Sequence, residues 1–353
     1  MNYQNGGDSE AMLRGQAQIL QYIFGALDAM ALRCCVELRI ADIINHHGSP
    51  TTLSEIINGI NSPSINVDGL ERLMKFLVRR NIFDEKNGEK ENLYSLNHCS
   101  TWLLCGTDVT LAPLVMLRTN PIIMTPAYVM SHSIKEGGTS FMRVHGAELF
   151  DFCQLNSEFN KVFNEGMACT ARITTKAILS SYKNEFVGLK GCIVDVGGGN
   201  GILVSEIVKA YPHLKGVNFD LKHVISTAPV YNGVIHIAGD MFKAIPCAET
   251  IFMKWILHDW GDDDCVKIIK NCRKALSIEN GKLVIVEAVQ NLDEHDYFND
   301  IRATFDLAMF SHFSSGRERS ESQWKKLLAQ GGFFRYNIIK IPAFQSIIEA
   351  FLK

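Results

Sequence analysis

Val194-Asp195-Val196-Gly197-Gly198-Gly199-Asn200-Gly201 is the stretch that decides how this chain folds. The apolar run Cys192-Ile193-Val194 enters it as a buried strand, and Ile202 to Tyr211 leaves it as a helix. Between them, glycines let the backbone pass close to a ligand where a Cβ would clash. Strand, glycine loop and helix in that order form the nucleotide-binding corner of a doubly wound sheet. Asp220 follows 25 residues after Asp195, closing the run Val217-Asn218-Phe219. A carboxylate there suits the two hydroxyls of a ribose.

Two kinds of cofactor use this geometry. A dinucleotide fingerprint spaces its glycines G-x-G-x-x-G and seats a pyrophosphate on the helix N-terminus. From Gly197 this chain reads G-G-G-x-G, and the acid Asp195 stands two residues before it. An acid suits a cation better than a phosphate. S-adenosylmethionine carries an ammonium and a sulfonium and no phosphate, so the loop reads as a methyl-donor site. Ala238-Gly239-Asp240-Met241-Phe242 adds an acid beside two large apolar residues after the third strand, as an adenine pocket requires. Asp240 would accept from the exocyclic amine and Met241 would cover the ring; otherwise they are a turn cap and core. Lys254 closes the fourth strand, where it could face the cofactor or reach solvent.

Working outward, 353 residues suffice for two domains and a large core. Apolar content of 47% and charged content of 21% are those of an ordinary globular protein. A net charge of −3 gives no general pull toward nucleic acid. No basic n-region and apolar h-region opens the chain, so no signal peptide is expected, and no apolar run is long enough for a membrane span. The ten cysteines show no CxxC and no zinc spacing. Cys34, Cys35, Cys265 and Cys272 are expected as buried reduced thiols of a cytosolic protein.

From Gly191 onward strand and helix alternate, as a parallel sheet demands. Strands are expected at 192–196, 216–219, 234–237, 250–255 and 282–287, with later β segments at 333–341 and 345–350. Before them, residues 12–44 have helical periodicity, with Ile19, Ile23, Phe24, Leu27, Met30 and Ala31 on one face. A short helix after Ser49-Pro50-Thr51-Thr52, a helix over Val67–Arg80 and a hairpin of 81–83 with 93–96 complete a winged-helix arrangement. The expected division is residues 1–110 as a mainly helical winged-helix dimerisation domain, 111–188 as a helical linker and pocket region, and 189–353 as an α/β Rossmann-like catalytic domain. Arg72, Lys75, Arg79 and Arg80 make the third helix modestly basic, but Glu71, Asp84, Glu85, Glu89 and Glu91 surround them. Dimerisation is therefore expected rather than DNA binding.

The chemistry is expected at Trp255-Ile256-Leu257-His258-Asp259-Trp260, because ligands in open α/β sheets sit outside the carboxyl ends of the strands. His258 is thereby delivered to the rim of the crevice. A free phenol has a pKa near 10 and is a weak nucleophile at neutral pH. A positioned imidazole can take its proton while the oxygen attacks the sulfonium methyl. An acid should hold the second ring nitrogen. Glu287, ending the fifth strand, is well placed, and Glu318 in Gly316-Arg317-Glu318-Arg319 is a second candidate. Asp262-Asp263-Asp264 raises the question of a metal, but acids opening a helix are explained by the helix dipole, so no metal is expected.

With these residues in hand, the chain resembles plant small-molecule O-methyltransferases of the caffeic acid, isoflavone and benzylisoquinoline-alkaloid type. The resemblance covers about residues 12–353 and rests on DVGGGNG at 195–201, NFDL at 218–221, GDMF at 239–242, FMKWILHDW at 252–260 and GRER at 316–319. It implies a homodimer using S-adenosylmethionine without metal and releasing S-adenosylhomocysteine. It further implies donor contacts at Gly197, Asp220, Asp240, Met241 and Lys254, with His258 as base flanked by Glu287 and Glu318. Asn164 and Met167, in Phe163-Asn164-Glu165-Gly166-Met167, and Met309, His312 and Phe313 resemble the segments bordering the acceptor ring; each would serve equally as core. Departures are Lys222 where the family usually has Pro, Ala127 where relatives often carry Trp, and Phe313 where lignin-type members often have Asn. The segments at 120–121 and 336–351 look most like alkaloid 7-O-methyltransferases. The expected substrate is a phenolic benzylisoquinoline alkaloid, with a flavonoid, isoflavonoid or phenylpropanoid as the alternative. The competing classes are a winged-helix DNA-binding ligand sensor and an N-methyltransferase.

Overall fold

The computed structural model describes residues 6–48, 50–277, 281–290 and 295–352. The opening residues 1–5 and Ser49, both used in reading the sequence, lie outside them. The chain divides into two compact units, residues 1–121 and 122–353.

In the first unit the single helix expected over 12–44 is three: Gly6–Phe24, Ala26–Glu37 and Ile40–His47. Gly25, a poor helix former, marks the first break. The second break is at Arg39, whose φ of 54° is left-handed without any glycine to announce it. That turn brings Ile40, Ala41 and Ile44 into a core with Met74, Leu77 and Tyr94. Thr52 and Glu55 form a capping box that starts the helix Leu53–Gly59, and Asn66 caps Val67–Arg79. Strands β1 (Thr51–Thr52), β2 (Phe83–Lys86) and β3 (Leu93–Leu96) form an antiparallel sheet in the order β1-β3-β2. The hairpin begins at Phe83 rather than at 81, because Asn81 is itself left-handed at φ 57°. Ile19, Ile23, Phe24 and Leu27 are exposed, together with Met12, Leu13 and Tyr22, while Ala31 is buried. Cys34 is exposed, against expectation, since the apolar face of its helix points Cys35 inward. No single described helix is long and apolar enough to cross a membrane.

The second unit opens with helices, the longest being Ser157–Ser181. Then come β4 (Cys192–Val196), β5 (Lys215–Asp220), β6 (Val234–Ala238), β7 (Thr250–Lys254), β8 (Lys282–Glu287), β9 (Val289–Gln290), β10 (Arg319–Ser320), β11 (Arg335–Lys340) and β12 (Ser346–Phe351). Seven of these form one sheet in the order β11-β12-β8-β7-β4-β5-β6. Strands β4 to β8 run parallel, and β12 and β11 add an antiparallel edge. The two-residue strands β9 and β10 pair in parallel beside it.

Strict alternation along the strands separates two cores. Val194, Ile251, Met253, Leu283 and Ile285 face the helices Asp262–Ala275 and Glu321–Gly331. Ile193, Phe252, Val284 and Val286 face Ile202–Ala210 and the end of Ser157–Ser181. Burial on both faces is why these strands read as unbroken apolar runs. From β4 the chain steps outward to β5 and β6, then crosses back to β7 on the other side of β4. That reversal opens a crevice at the carboxyl ends of β4, β5 and β7, where the singled-out residues lie.

Candidate active site

The glycine loop is built to hold acids, not phosphates. Gly197 and Gly199 have φ of 69° and 59°, and a Cβ on Gly197 would fall 2.3 Å from Ile256 Cδ1. Three loop amides are already engaged: Gly197 N donates to Phe219 O at 2.8 Å, Gly199 N to Asp220 Oδ2 at 2.8 Å, and Gly201 N to Gly198 O at 2.9 Å. They are not available to a pyrophosphate, which disfavours the dinucleotide reading. Asn218, which sequence reasoning passed over, pins the loop by donating to Gly199 O at 2.9 Å. The signal that could have found it is a polar residue inside the buried run Val217-Asn218-Phe219.

Asp195 is buried beneath the loop, and burial pushes its pKa up to about 7 against the pull of Lys254. Among the described residues its Oδ2 has no hydrogen-bond partner. Asp220 is likewise raised by burial, while the Leu221 and Gly199 amides oppose that rise. Acceptor-rich and short of free donors, this wall fits an ammonium and ribose hydroxyls. Lys222 opens the turn Lys222–Ile225, a position where proline also fits, so its presence leaves Asp220 in place. Asp240 caps its own turn through Phe242 N at 2.9 Å and lies 3.4 Å from Lys243. Met241 packs on the core rim, where Phe242 meets Trp260 edge-on with ring centres 4.7 Å apart. Lys254 sits half-buried with its ammonium 4.5 Å from the Trp255 ring, and burial lowers its pKa to about 8 despite Glu287 and Asp195.

Beyond β7 the backbone turns sharply. Trp255 has φ 56°, a left-handed value unusual for a bulky residue. Glu287 stabilises the turn: its Oε1 accepts from Ile256 N and Leu257 N, both at 2.9 Å. His258 follows on a single 3-10 turn, Leu257–Asp259, and is buried. Its Nδ1 lies 2.7 Å from Glu318 Oε1 and 3.8 Å from Glu287 Oε2. Its Nε2 lies 3.4 Å from Asp259 Oδ1, an acid given no role from the sequence. Burial opposes the charged ring, but Glu287, Asp259 and Glu318 together outweigh it and push its pKa up to about 10. Burial in turn raises Asp259 to about 7, and raises Glu287. Glu318, which sits in a charged stretch of sequence, is 3% exposed.

His258, Glu287 and Glu318 bring ligand-type atoms within 4.8 Å of one another. The three acids at 262–264 do not form such a group: Asp262 bonds Arg319, Asp264 bonds Lys267, and all three open the helix Asp262–Ala275.

On the acceptor side, Trp255 stacks on Phe305 at 5.3 Å and on the His258 ring at 5.8 Å. Met309 is one turn beyond Phe305 on the helix Asn299–His312 and is buried. Phe313 is half-buried and packs on Phe150, which meets Phe163. Met167 is half-buried on Ser157–Ser181, whereas Asn164 is exposed there and donates to Asn160 at 3.3 Å.

Comparison with known proteins agrees with this geometry. Residues 128–334 match a family model described as an O-methyltransferase domain, and residues 20–106 match an O-methyltransferase dimerisation domain. The chain belongs to the O-methyltransferase family. The methyltransferase is 47% identical to xanthohumol 4-O-methyltransferase of Humulus lupulus, covering 99% of both chains. It is 45% identical to (R,S)-reticuline 7-O-methyltransferase of Papaver somniferum, covering 97% of this chain and 99% of that one. In fold it matches human N-acetylserotonin methyltransferase in complex with S-adenosylmethionine, with a TM-score of 0.82 at 18% identity over 99% of both chains. It is thus an S-adenosylmethionine-dependent enzyme of the plant O-methyltransferase group.

Proposed function

We propose that this methyltransferase methylates a phenolic hydroxyl of a plant aromatic metabolite, with His258 as general base and no metal. When bound, S-adenosylmethionine supplies an electrophilic methyl on a sulfonium. Asp220 would bind the ribose hydroxyls, Asp240 and Met241 the adenine, and Gly197 and Lys254 would border the methionine portion. His258 takes the phenol proton at Nε2, while Glu318 holds Nδ1–H and stabilises the imidazolium that results. The observation that carries this reading is the 2.7 Å His258–Glu318 contact on a turn anchored by Glu287. Glu287, Asp259 and Glu318 favour the imidazolium that forms when the ring takes the phenol proton. The hydrogen-bond distance from His258 to Glu318 is short for two ligands of one cation, which supports the metal-free reading.

For the acceptor we favour a benzylisoquinoline alkaloid, on the likeness to the reticuline enzyme and on Phe313 at the pocket border. A flavonoid-type phenol is the second reading, favoured by the xanthohumol enzyme. The exposed apolar residues of the helices Gly6–Phe24 and Ala26–Glu37, within and beside the matched dimerisation domain, support a homodimer.

The test is transfer of label from S-adenosylmethionine to a panel of alkaloid, flavonoid and phenylpropanoid phenols with excess EDTA. Label on one scaffold with EDTA present is the expected outcome; loss of transfer on chelation would overturn the metal-free reading. His258→Ala should lower turnover by roughly 10²- to 10⁴-fold with donor affinity retained. Wild-type turnover in that variant would withdraw the base.

A further inference from the structure

The segment Gly316-Arg317-Glu318-Arg319 does more than deliver one carboxylate. Gly316 lies so close to the His258 turn that a Cβ there would fall 3.0 Å from His258 O and 2.7 Å from Phe313 Cβ. Arg317 N donates to His258 O at 2.8 Å. Glu318 takes the imidazole, and its own backbone N donates to Asp306 Oδ1 at 2.7 Å. Arg319 is 1% exposed, and its guanidinium spans the turn. Nη1 donates to Leu257 O at 2.9 Å and Nη2 to Trp260 O at 2.8 Å, the carbonyls on either side of His258-Asp259. Asp262 Oδ1 accepts from Nη2 at 2.8 Å and from Nε at 3.1 Å. Pairing of Arg319 with Val289 ties the same residue to the chain just past Glu287.

We infer that Arg319 is a positioning residue, a clamp that fixes both ends of the 257–260 turn so that His258 meets Glu318 in one geometry. This rests on His258 acting as base. Burying a guanidinium is costly, and replacing such a group by apolar packing is often neutral for stability, so stability alone is a weak reason for it here. Its planar fork is what the task needs, because four hydrogen bonds must leave one rigid group in fixed directions. A lysine ammonium has three donors on a flexible stem and cannot reach both carbonyls and Asp262 together. The Arg319 backbone follows Glu318 directly, so one segment grips the imidazole by its ring, its carbonyl and its flanking peptides.

The experiment compares Arg319→Lys and Asp262→Ala with wild type and His258→Ala, measuring kcat, acceptor KM, donor Kd by calorimetry and the pH profile of kcat/KM. Asp262 is half-exposed at a helix start, so its variant is the milder perturbation of the two, and retained donor Kd identifies a folded protein. Arg319→Lys should lower kcat roughly 10- to 100-fold, as expected for misplacing a reacting group by about an ångström, with donor Kd within about twofold of wild type. Asp262→Ala should show a smaller loss in the same sense. Groups facing the ring are Glu318 from its own segment, Glu287 from β8 and Asp259 from the turn, with Lys254 at the end of β7 facing Asp259. A loosened turn separates His258 from these acids, so the acid limb of the profile should move to lower pH. Wild-type kcat and profile in both variants would overturn the clamp, as would a folded Arg319→Lys whose kcat falls while the limb stays. Wild-type turnover in His258→Ala would instead remove the base on which the clamp rests.

Discussion

Strand β8 carries a buried charge at each end, and the two are accommodated differently. Lys282 opens the strand with Glu349 Oε1 at 2.8 Å, Glu185 Oε2 at 2.9 Å and the Tyr182 hydroxyl at 3.2 Å. Tyr182 also donates to Glu349, and Asn337 reaches its other oxygen at 3.4 Å. Among the described residues no buried side-chain polar atom of this cluster lacks a partner, and Glu185 reaches solvent. Glu287 closes the same strand among Glu318 and Asp259, three acids around one imidazole. Among the described residues, Glu287 Oε2 and Glu318 Oε2 have no hydrogen-bond partner. One end is satisfied and serves the fold; the other keeps buried carboxylate oxygens without hydrogen-bond partners beside one imidazole, the kind of perturbed cluster where chemistry is expected.

Breaking the satisfied end should have the larger effect on stability. Lys282→Met leaves Glu349 buried without its cation, and should cost about 3–5 kcal/mol in urea unfolding while kcat of the folded enzyme is unchanged. A matching loss of kcat would mean that the two ends are coupled through β8. At the other end, Glu318→Gln should change stability by no more than about 1 kcal/mol but lower kcat by roughly 10-fold or more, since the imidazolium loses its closest acid. The finest probe is pH. His258 must be neutral to accept a proton, and its pKa of about 10 places the acid limb of kcat/KM above the ordinary histidine value. Glu287→Gln removes one of the acids that stabilise the imidazolium, so the limb should move to lower pH. A limb at the ordinary value in wild type, or one that stays put in Glu287→Gln, would show that the acids do not act on the ring.

The difference between the two ends also explains what could be read in the sequence. The parallel strands at the centre of the sheet are legible because burial on both faces leaves mostly apolar residues, and His258 and Glu287 because each follows such a run at its carboxyl end. Glu318 and Arg319 carry no local sign of burial: they lie in a charged tetrapeptide and are covered only when it packs on a turn some 60 residues earlier. The Lys282 cluster has one trace in the sequence, an acid, Glu349, in the middle of an apolar strand. Arg39 left none, since a left-handed arginine looks like any other in a helical pattern.

The glycine loop has a consequence for life among competing metabolites. Cells hold many adenosine carriers, most of them built on phosphate. A loop whose Gly197, Gly199 and Gly201 amides already bond Phe219, Asp220 and Gly198 withholds those three donors from a phosphate. The two acids beside it repel their charge. The course of the main chain therefore weighs against phosphate carriers before the adenine pocket is reached. Freeing the Gly199 amide for a phosphate would cost Asp220 a hydrogen bond that holds its carboxylate at the crevice.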